Sequence, residues 1–221
     1  VCLNTDDGSM LWRKNFGSQK LTMTPTWNSG YPYYRFDFVH FGNAVTVRDG
    51  HVYCLTNMGL VARCDARDGM VEWVHPYPRC WLGYNLLHLL ARMGSPPIID
   101  GERIVILPRD TFGVFALNRN TGEQVWDNAY VPSEAVAGRY GDLLLLRNKR
   151  EVAGISMKTG GVVWFRQFDG TLLESPAQTG PVLTLATAEK LYRLESASGR
   201  TLETSDWKMK PLNPFSLRGS E

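Results

Sequence analysis

Apolar and polar positions along this chain fall into short alternating runs separated by glycine-bearing turns. The clearest unit is VFALNRNTGEQVW, Val114 to Trp126. Val114 with Ala116, and Phe115 with Leu117, form two interleaved sets of period two, as in a strand packed on both faces. Asn118 to Gly122 supply turn chemistry, and a second strand leads to Trp126. A glycine and a tryptophan four positions apart recur as Gly8 with Trp12, Gly69 with Trp73, Gly122 with Trp126 and Gly160 with Trp164. A fifth copy keeps Gly199 and carries Glu203 in place of the tryptophan. The segments CLNTDDG, RCDARDG, ALNRNTG, GISMKTG and RLESASG agree as well. Each has an apolar residue five before the glycine and Asn, Asp, Ser or Glu four before it.

The last three glycines are spaced by 38 and 39 residues, and the first two intervals, 61 and 53, carry extra material. A period near 38 is that of a propeller, a solenoid or an array. Strand content decides among them. Upstream of the units lie HVYCLT, RIVILP, DLLLLR and VLTLAT, preceded in turn by AVTV, PPII, AVAG and SPAQTG. Four short strands per period predict an all-β propeller of four-stranded antiparallel blades. The expected parts are a half-blade (1–16), an aromatic insertion (18–42), a blade (43–77), a helical insertion (78–94), blades 95–130, 133–168 and 173–207, and a tail (208–221).

Ala116-x-Asn118-x-x-Thr121-Gly122-x-x-x-Trp126 resembles the tryptophan-docking motif of pyrroloquinoline-quinone-like β-propeller repeats, Ala-x-Asp-x-x-Thr-Gly-x-x-x-Trp. The resemblance covers nearly the whole chain, with residues 18–42 and 76–94 the weakest parts. Cys2, Arg63, Gly154 and Arg193 replace the alanine. In the expected geometry Trp12, Trp73, Trp126 and Trp164 each cover the glycine turn of a neighbouring blade, where the missing side chain admits a ring against backbone. Recurrence at one place per blade makes these rings and Gly8, Gly69, Gly122 and Gly160 a structural girdle rather than a ligand box.

Propellers close with about four to eight blades. Two readings of the leading half-blade follow: residues 208–221 return to complete it, or the chain is a segment of a larger propeller whose missing blades cover its ends. Pro211 and Pro214 each remove a ladder donor from the tail and favour the second. Net charge is +2 with both signs scattered, which leaves no nucleic-acid footprint. RNKR at 147–150 reads as a solvated hairpin tip, and no apolar run reaches the length of a membrane span. Cys2, Cys54, Cys64 and Cys80 lack metal-ligand spacing and read as small buried hydrophobes. A hairpin turn near Asn57-Met58 sets Cys54 opposite about Val61, not Cys64.

Both insertions follow a tryptophan-bearing strand and emerge at the end of the blades that carries the second-to-third-strand turns. One face is thus decorated, as binding faces of repeat proteins are. Trp27, Tyr31, Tyr33, Tyr34, Arg35, Asp37 and His40 in the first insertion form either a surface for a sugar, peptide or protein, or a lid packed on the blade. Asp37 and His40 are an acid–base pair by type, with a spacing of little specificity. In RCWLGYNLLHLLARMG, 79–94, Leu82, Leu86, Leu89 or Leu90, and Met93 recur at helical spacing and predict a short amphipathic helix, with His88 a packed or solvated residue on it.

The expected function is a non-catalytic scaffold, likened to bacterial members of the repeat family that keep the fold without its cofactor. Its partners would be a protein, or a carbohydrate or peptide ligand, on the decorated face; the residues themselves leave location open, and the resemblance alone implies a periplasmic or secreted one. The alternative is a fragment of a quinoprotein dehydrogenase. The resemblance implies for those enzymes bound pyrroloquinoline quinone and calcium, an adjacent cysteine pair, and acidic and amide calcium ligands. No two cysteines are adjacent here, and the expected inner strands Ala44–Val47, Pro96–Ile99, Ala135–Gly138 and Ser175–Gly180 hold no carboxylate. Asp49, Asp100, Glu134 and Glu174 fall at strand ends or turns and read as solvated. Gly-x-Ser-x-Gly and HExxH hydrolase motifs are absent.

Overall fold

The structure is a computed structural model, and it describes residues 1–16, 23–28, 31–36, 44–56, 58–79, 95–173 and 176–207. Four four-stranded antiparallel sheets follow one another in chain order. The first comprises β5 (Ala44–Arg48), β6 (His51–Leu55), β7 (Leu60–Asp65) and β8 (Val71–Pro76). The second comprises β9 (Ile98–Asp100), β10 (Arg103–Ile106), β11 (Val114–Asn118) and β12 (Gln124–Asn128). β13 (Ala135–Tyr140), β14 (Leu143–Arg147), β15 (Glu151–Ser156) and β16 (Val162–Gln167) form the third. β17 (Ala177–Thr179), β18 (Val182–Ala186), β19 (Lys190–Glu195) and β20 (Thr201–Asp206) form the fourth. Before them, β1 (Cys2–Leu3) pairs with β2 (Met10–Trp12), and β3 (Met23–Asn28) pairs with β4 (Tyr31–Phe36). This is the meander of propeller blades, each strand paired with its neighbour in sequence.

Blades stack face to face, and the core lies in the layers between them. Val105, Leu107, Val114 and Ala116 of one blade meet Leu144, Leu146, Ala153 and Ile155 of the next. Leu145 and Val152 then meet Leu183, Leu185 and Leu194. The LLLL run of β14 is explained by this: alternate leucines fill opposite layers, and Leu144, Leu145 and Leu146 are fully buried.

The glycine unit has one backbone solution in all five copies. The N–H of Gly8, Gly69, Gly122, Gly160 and Gly199 donates to the carbonyl four residues earlier, and that earlier residue's own N–H bonds past the glycine to the carbonyl after it. The closed turn requires positive φ, between 66° and 76° at the five glycines. Asn4, Asp65, Asn118 and Ser156 each accept the N–H two residues on through a side-chain oxygen, the reason short polar residues stand four before the glycine. Beyond the turn every copy carries a β-bulge. Cys2 faces Trp12, Arg63 faces Trp73, Ala116 faces Trp126, Gly154 faces Trp164 and Arg193 faces Glu203, and the register shifts immediately afterwards. The residue before each tryptophan is the extra one, so the glycine–tryptophan spacing of four is a turn plus a bulge that re-aims the ring.

Several sequence expectations need correction. Cys54 lies opposite Ala62, one place beyond Val61, because the β6–β7 turn is closed by the Thr56 N–H on the Leu60 carbonyl; Cys64 faces Val52. Cys64 is buried, whereas Cys2 and Cys54 are partly accessible, and all three are free thiols. RNKR is not a uniformly solvated tip, since Arg147 is buried and only Lys149 and Arg150 are exposed. Asp49 and Asp100 are not merely solvated: Asp49 holds Arg119 of the next blade at 2.9 Å, and Asp100 holds Arg139 at 2.7 Å. All of the helix expected over 79–94 except Arg79, with His88, and the tail from 208 lie outside the described residues, as does Cys80. Among the described residues no helix is long and apolar enough to cross a membrane.

Candidate interaction surface

A latch recurs at the four tryptophans, with three parts at Trp73, Trp126 and Trp164. The Trp12 indole N–H donates to the Ala66 carbonyl at 2.9 Å, Trp73 to Arg119 at 3.0 Å, Trp126 to Met157 at 3.1 Å and Trp164 to Ser196 at 3.0 Å. Every acceptor stands three residues before the next blade's glycine. The rings lie on the glycines themselves: a Cβ on Gly69, Gly122, Gly160 or Gly199 would sit 2.4 to 2.8 Å from the indole of Trp12, Trp73, Trp126 or Trp164 respectively. A third contact comes two residues beyond the tryptophan, where His75 bonds the Gly122 carbonyl, Asn128 Nδ2 donates to Gly160 at 2.8 Å and Arg166 Nε to Gly199 at 2.8 Å. Gly8 stands apart, with no heavy atom within 4 Å of a Cβ built on it. In the fifth copy Glu203 pairs instead with Arg193 at 2.9 Å.

The latches occupy the rim, so the ends of the blades remain for other chemistry. At one end lie the turns β6–β7, β10–β11, β14–β15 and β18–β19, together with the connections leaving β2, β8, β12 and β16. Buried Asp110 organises it, accepting the Gly59 N–H at 3.1 Å, the Tyr77 hydroxyl at 2.8 Å and Arg79 Nε at 3.0 Å. Burial first, and the Asp110 charge second, push the Tyr77 phenol up, so it remains a donor. The β6–β7 turn and the connection leaving β8 are thus pinned on one carboxylate in the β10–β11 loop of the next blade. Gly113, at the end of the same loop, donates to Ser133 Oγ at 3.1 Å and is backed by Asn128 and Ala129.

Of the sequence-predicted surface residues, Trp27 lies on β3 and Tyr31, Tyr33, Tyr34 and Arg35 on β4. The two strands form a hairpin with Trp27 opposite Pro32, Thr26 opposite Tyr33 and Thr24 opposite Arg35. Asp37 and His40 lie outside the described residues. Sequence reasoning passed over Asp110, the donors two residues beyond Trp73, Trp126 and Trp164, and the exposed Phe112 and Tyr130. A polar residue at that third latch position in consecutive copies was the available signal for the donors.

No three or more of His, Cys, Asp and Glu among the described residues gather in metal-holding geometry. Asp110, the buried carboxylate at the decorated end, is already held by three donors. A cavity of about 130 Å³ lies between β16 and the fourth blade, lined by Arg166, Phe168, Tyr192, Leu194 and Thr201.

Comparison with known proteins places these observations. BamB from Moraxella catarrhalis is similar, with 20% identity and a TM-score of 0.53 over 80% of this chain and 56% of that one. The computationally designed Ika8 protein gives a TM-score of 0.52 at 13% identity, covering 73% of this chain and 48% of its own. KlHsv2 with loop 6CD replaced by a Gly-Ser linker gives 0.52 at 8% identity, over 79% and 55%. At such identities the likeness is one of fold, and the chain spans about half the length of these structures. A comparison with curated protein sequences finds no match. The family model described as outer membrane protein assembly factor BamB matches residues 1–106 and 110–220, and with the turn, bulge and latch repeated through the same residues, the chain belongs to that family of pyrroloquinoline-quinone-like propellers.

Proposed function

We propose that the protein is a non-catalytic propeller scaffold that binds protein partners through the end of the blades carrying the long connections, in the assembly of outer membrane proteins. The match to the assembly-factor family along nearly the whole chain carries this reading. The physical arrangement supports it. The tryptophans are engaged at the rim, where they hold blades together, and the decorated end is stiffened by Asp110 and Ser133, a rigid base for connections of variable length. Tyr31, Tyr33 and Arg35 hold alternate positions of β4, and residue types of this kind are enriched at protein interfaces. The quinoprotein reading rests on the repeat motif alone.

A photo-crosslinking amino acid at position 33, compared with one at rim position 163, tests the proposal in cells. Covalent capture of outer-membrane assembly components from position 33 and none from 163 is expected. Capture from the rim alone moves the binding surface. Quinone-dependent dehydrogenase activity of the purified chain overturns the scaffold reading.

A further inference from the structure

One tyrosine at the decorated end is wholly in water on a fixed backbone. Tyr130 is 98% exposed, yet its neighbours are held tightly. Asn128 Oδ1 accepts the Tyr130 N–H at 3.0 Å, and Asn128 is itself tied to Gly160. Ala129 rests on Gly113 so closely that a Cβ there would lie 2.6 Å from the Ala129 Cα, and Val131 is buried in the layer between blades. Phe112, 61% exposed, adjoins the same Gly113, so the two aromatic residues flank one backbone contact. The Tyr130 ring adds nothing to the fold, and its area is available to a partner. Rigidly mounted aromatics are the usual energetic centres of protein interfaces because little rotational freedom is lost when they are covered.

The β14–β15 turn, at the same end of the blades, carries two exposed cations. The Glu134 N–H donates to the Arg147 carbonyl at 3.1 Å and ties the Tyr130 connection to the β14–β15 turn. That turn presents Lys149 and Arg150, both exposed, while their carbonyls accept the Leu172 and Phe168 N–H groups at 2.7 and 2.8 Å. Glu151, the neighbouring acid, is held by Asn148. The backbone of the cationic tip is therefore fixed in place.

We infer that Tyr130, Phe112, Lys149 and Arg150 form a docking site for an acidic segment of a partner protein that carries an aromatic or aliphatic anchor. The inference rests on the scaffold reading and adds to it the residues and the chemistry of the partner. The anchor covers the rings, and carboxylates flanking it meet the ammonium and guanidinium groups. Because those charges are exposed, binding weakens as salt is raised.

Fluorescence anisotropy with three labelled short peptides tests it on the full chain: one alternating Asp and Glu with Phe and Leu, one with Lys for the acids, one with Ser for Phe and Leu. The first is expected to bind, less tightly at higher salt, and the other two at least about tenfold more weakly. Tyr130→Ser should weaken the acidic peptide by about tenfold or more while Tyr130→Phe retains it, and K149E with R150E should shift preference to the Lys peptide. Circular dichroism melts verify that each variant is folded. Equal binding by wild type and a folded Tyr130→Ser variant overturns the inference, as does equal affinity for the Lys peptide or no binding of any probe. The scaffold reading survives those results if position 33 still captures its partner in cells.

Discussion

Two neighbouring blade interfaces use the same latch with different fillings. Between blades 95–130 and 133–168 the residue facing the tryptophan is Ala116, and Trp126 is buried in an apolar layer. Between blades 43–77 and 95–130 that position is Arg63, and Trp73 is only partly buried. Arg63 spans the gap: Nη1 donates to the Arg119 carbonyl at 2.7 Å, the oxygen that also accepts the Trp73 indole, and to Asn120 at 3.0 Å. Its Nε lies 2.5 Å from Glu72. A small residue is thus not required for the ring to reach the next glycine. The turn and the bulge aim the ring, and the residue opposite it only decides whether the layer is dry or polar.

Emptying the dry interface should cost most. Trp126→Ala is expected to destabilise the protein by roughly 3–5 kcal/mol in urea titrations, and a loss below about 1 kcal/mol would remove the latch from the stability argument. The acceptor side comes next. Gly160→Ala combines positive φ with a Cβ 2.4 Å from the Trp126 ring, and about 2–4 kcal/mol is expected. Gly8→Ala has the same φ without the ring, so about 1 kcal/mol should suffice, and equal costs for the two would show that backbone conformation alone makes the glycine necessary.

Trp73→Ala should cost about 1–3 kcal/mol, less than Trp126→Ala, because Arg63 still holds the Arg119 carbonyl. A double-mutant cycle with Arg63→Met reads the sharing directly, and simple additivity would mean that the arginine does not substitute for the indole. The smallest effect is one of pH. Burial lowers the His75 pKa below its ordinary 6.5, partly offset by its bond to the Gly122 carbonyl. The folded chain then holds fewer protons than the unfolded chain, so this contribution is complete above about pH 6.5 and is lost as pH falls through that value toward the folded pKa. Melting temperatures of His75→Gln, which keeps an N–H donor, should fall less than wild type between pH 7.5 and 5.5, and parallel slopes would exclude His75 as a source of acid lability.

The candidate surface was less legible than the blades. The aromatic run 27–41 was visible by composition, and Trp27 and Tyr31 to Arg35 do occupy a hairpin. Nothing in the sequence around Phe112 and Tyr130 marks them out. Only their exposure, beside a backbone pinned by Asp110, Gly113 and Asn128, distinguishes them. Asp100 and Asp49 similarly looked solvated because the arginines that hold them lie 39 and 70 positions away in sequence.

By itself the sequence determined what is local. Alternation specifies strands, short polar residues four before glycine close the turn, and glycine permits the left-handed φ that the turn demands; repetition of these units implies a propeller before any contact is known. Tertiary structure alone decided what depends on the packing of one blade against another: which carbonyl each indole reaches, which carboxylates are tied, and which aromatics stay in water. Those outcomes depend on blade separation and twist, quantities to which residues distant in sequence contribute together, and no window of the chain contains them.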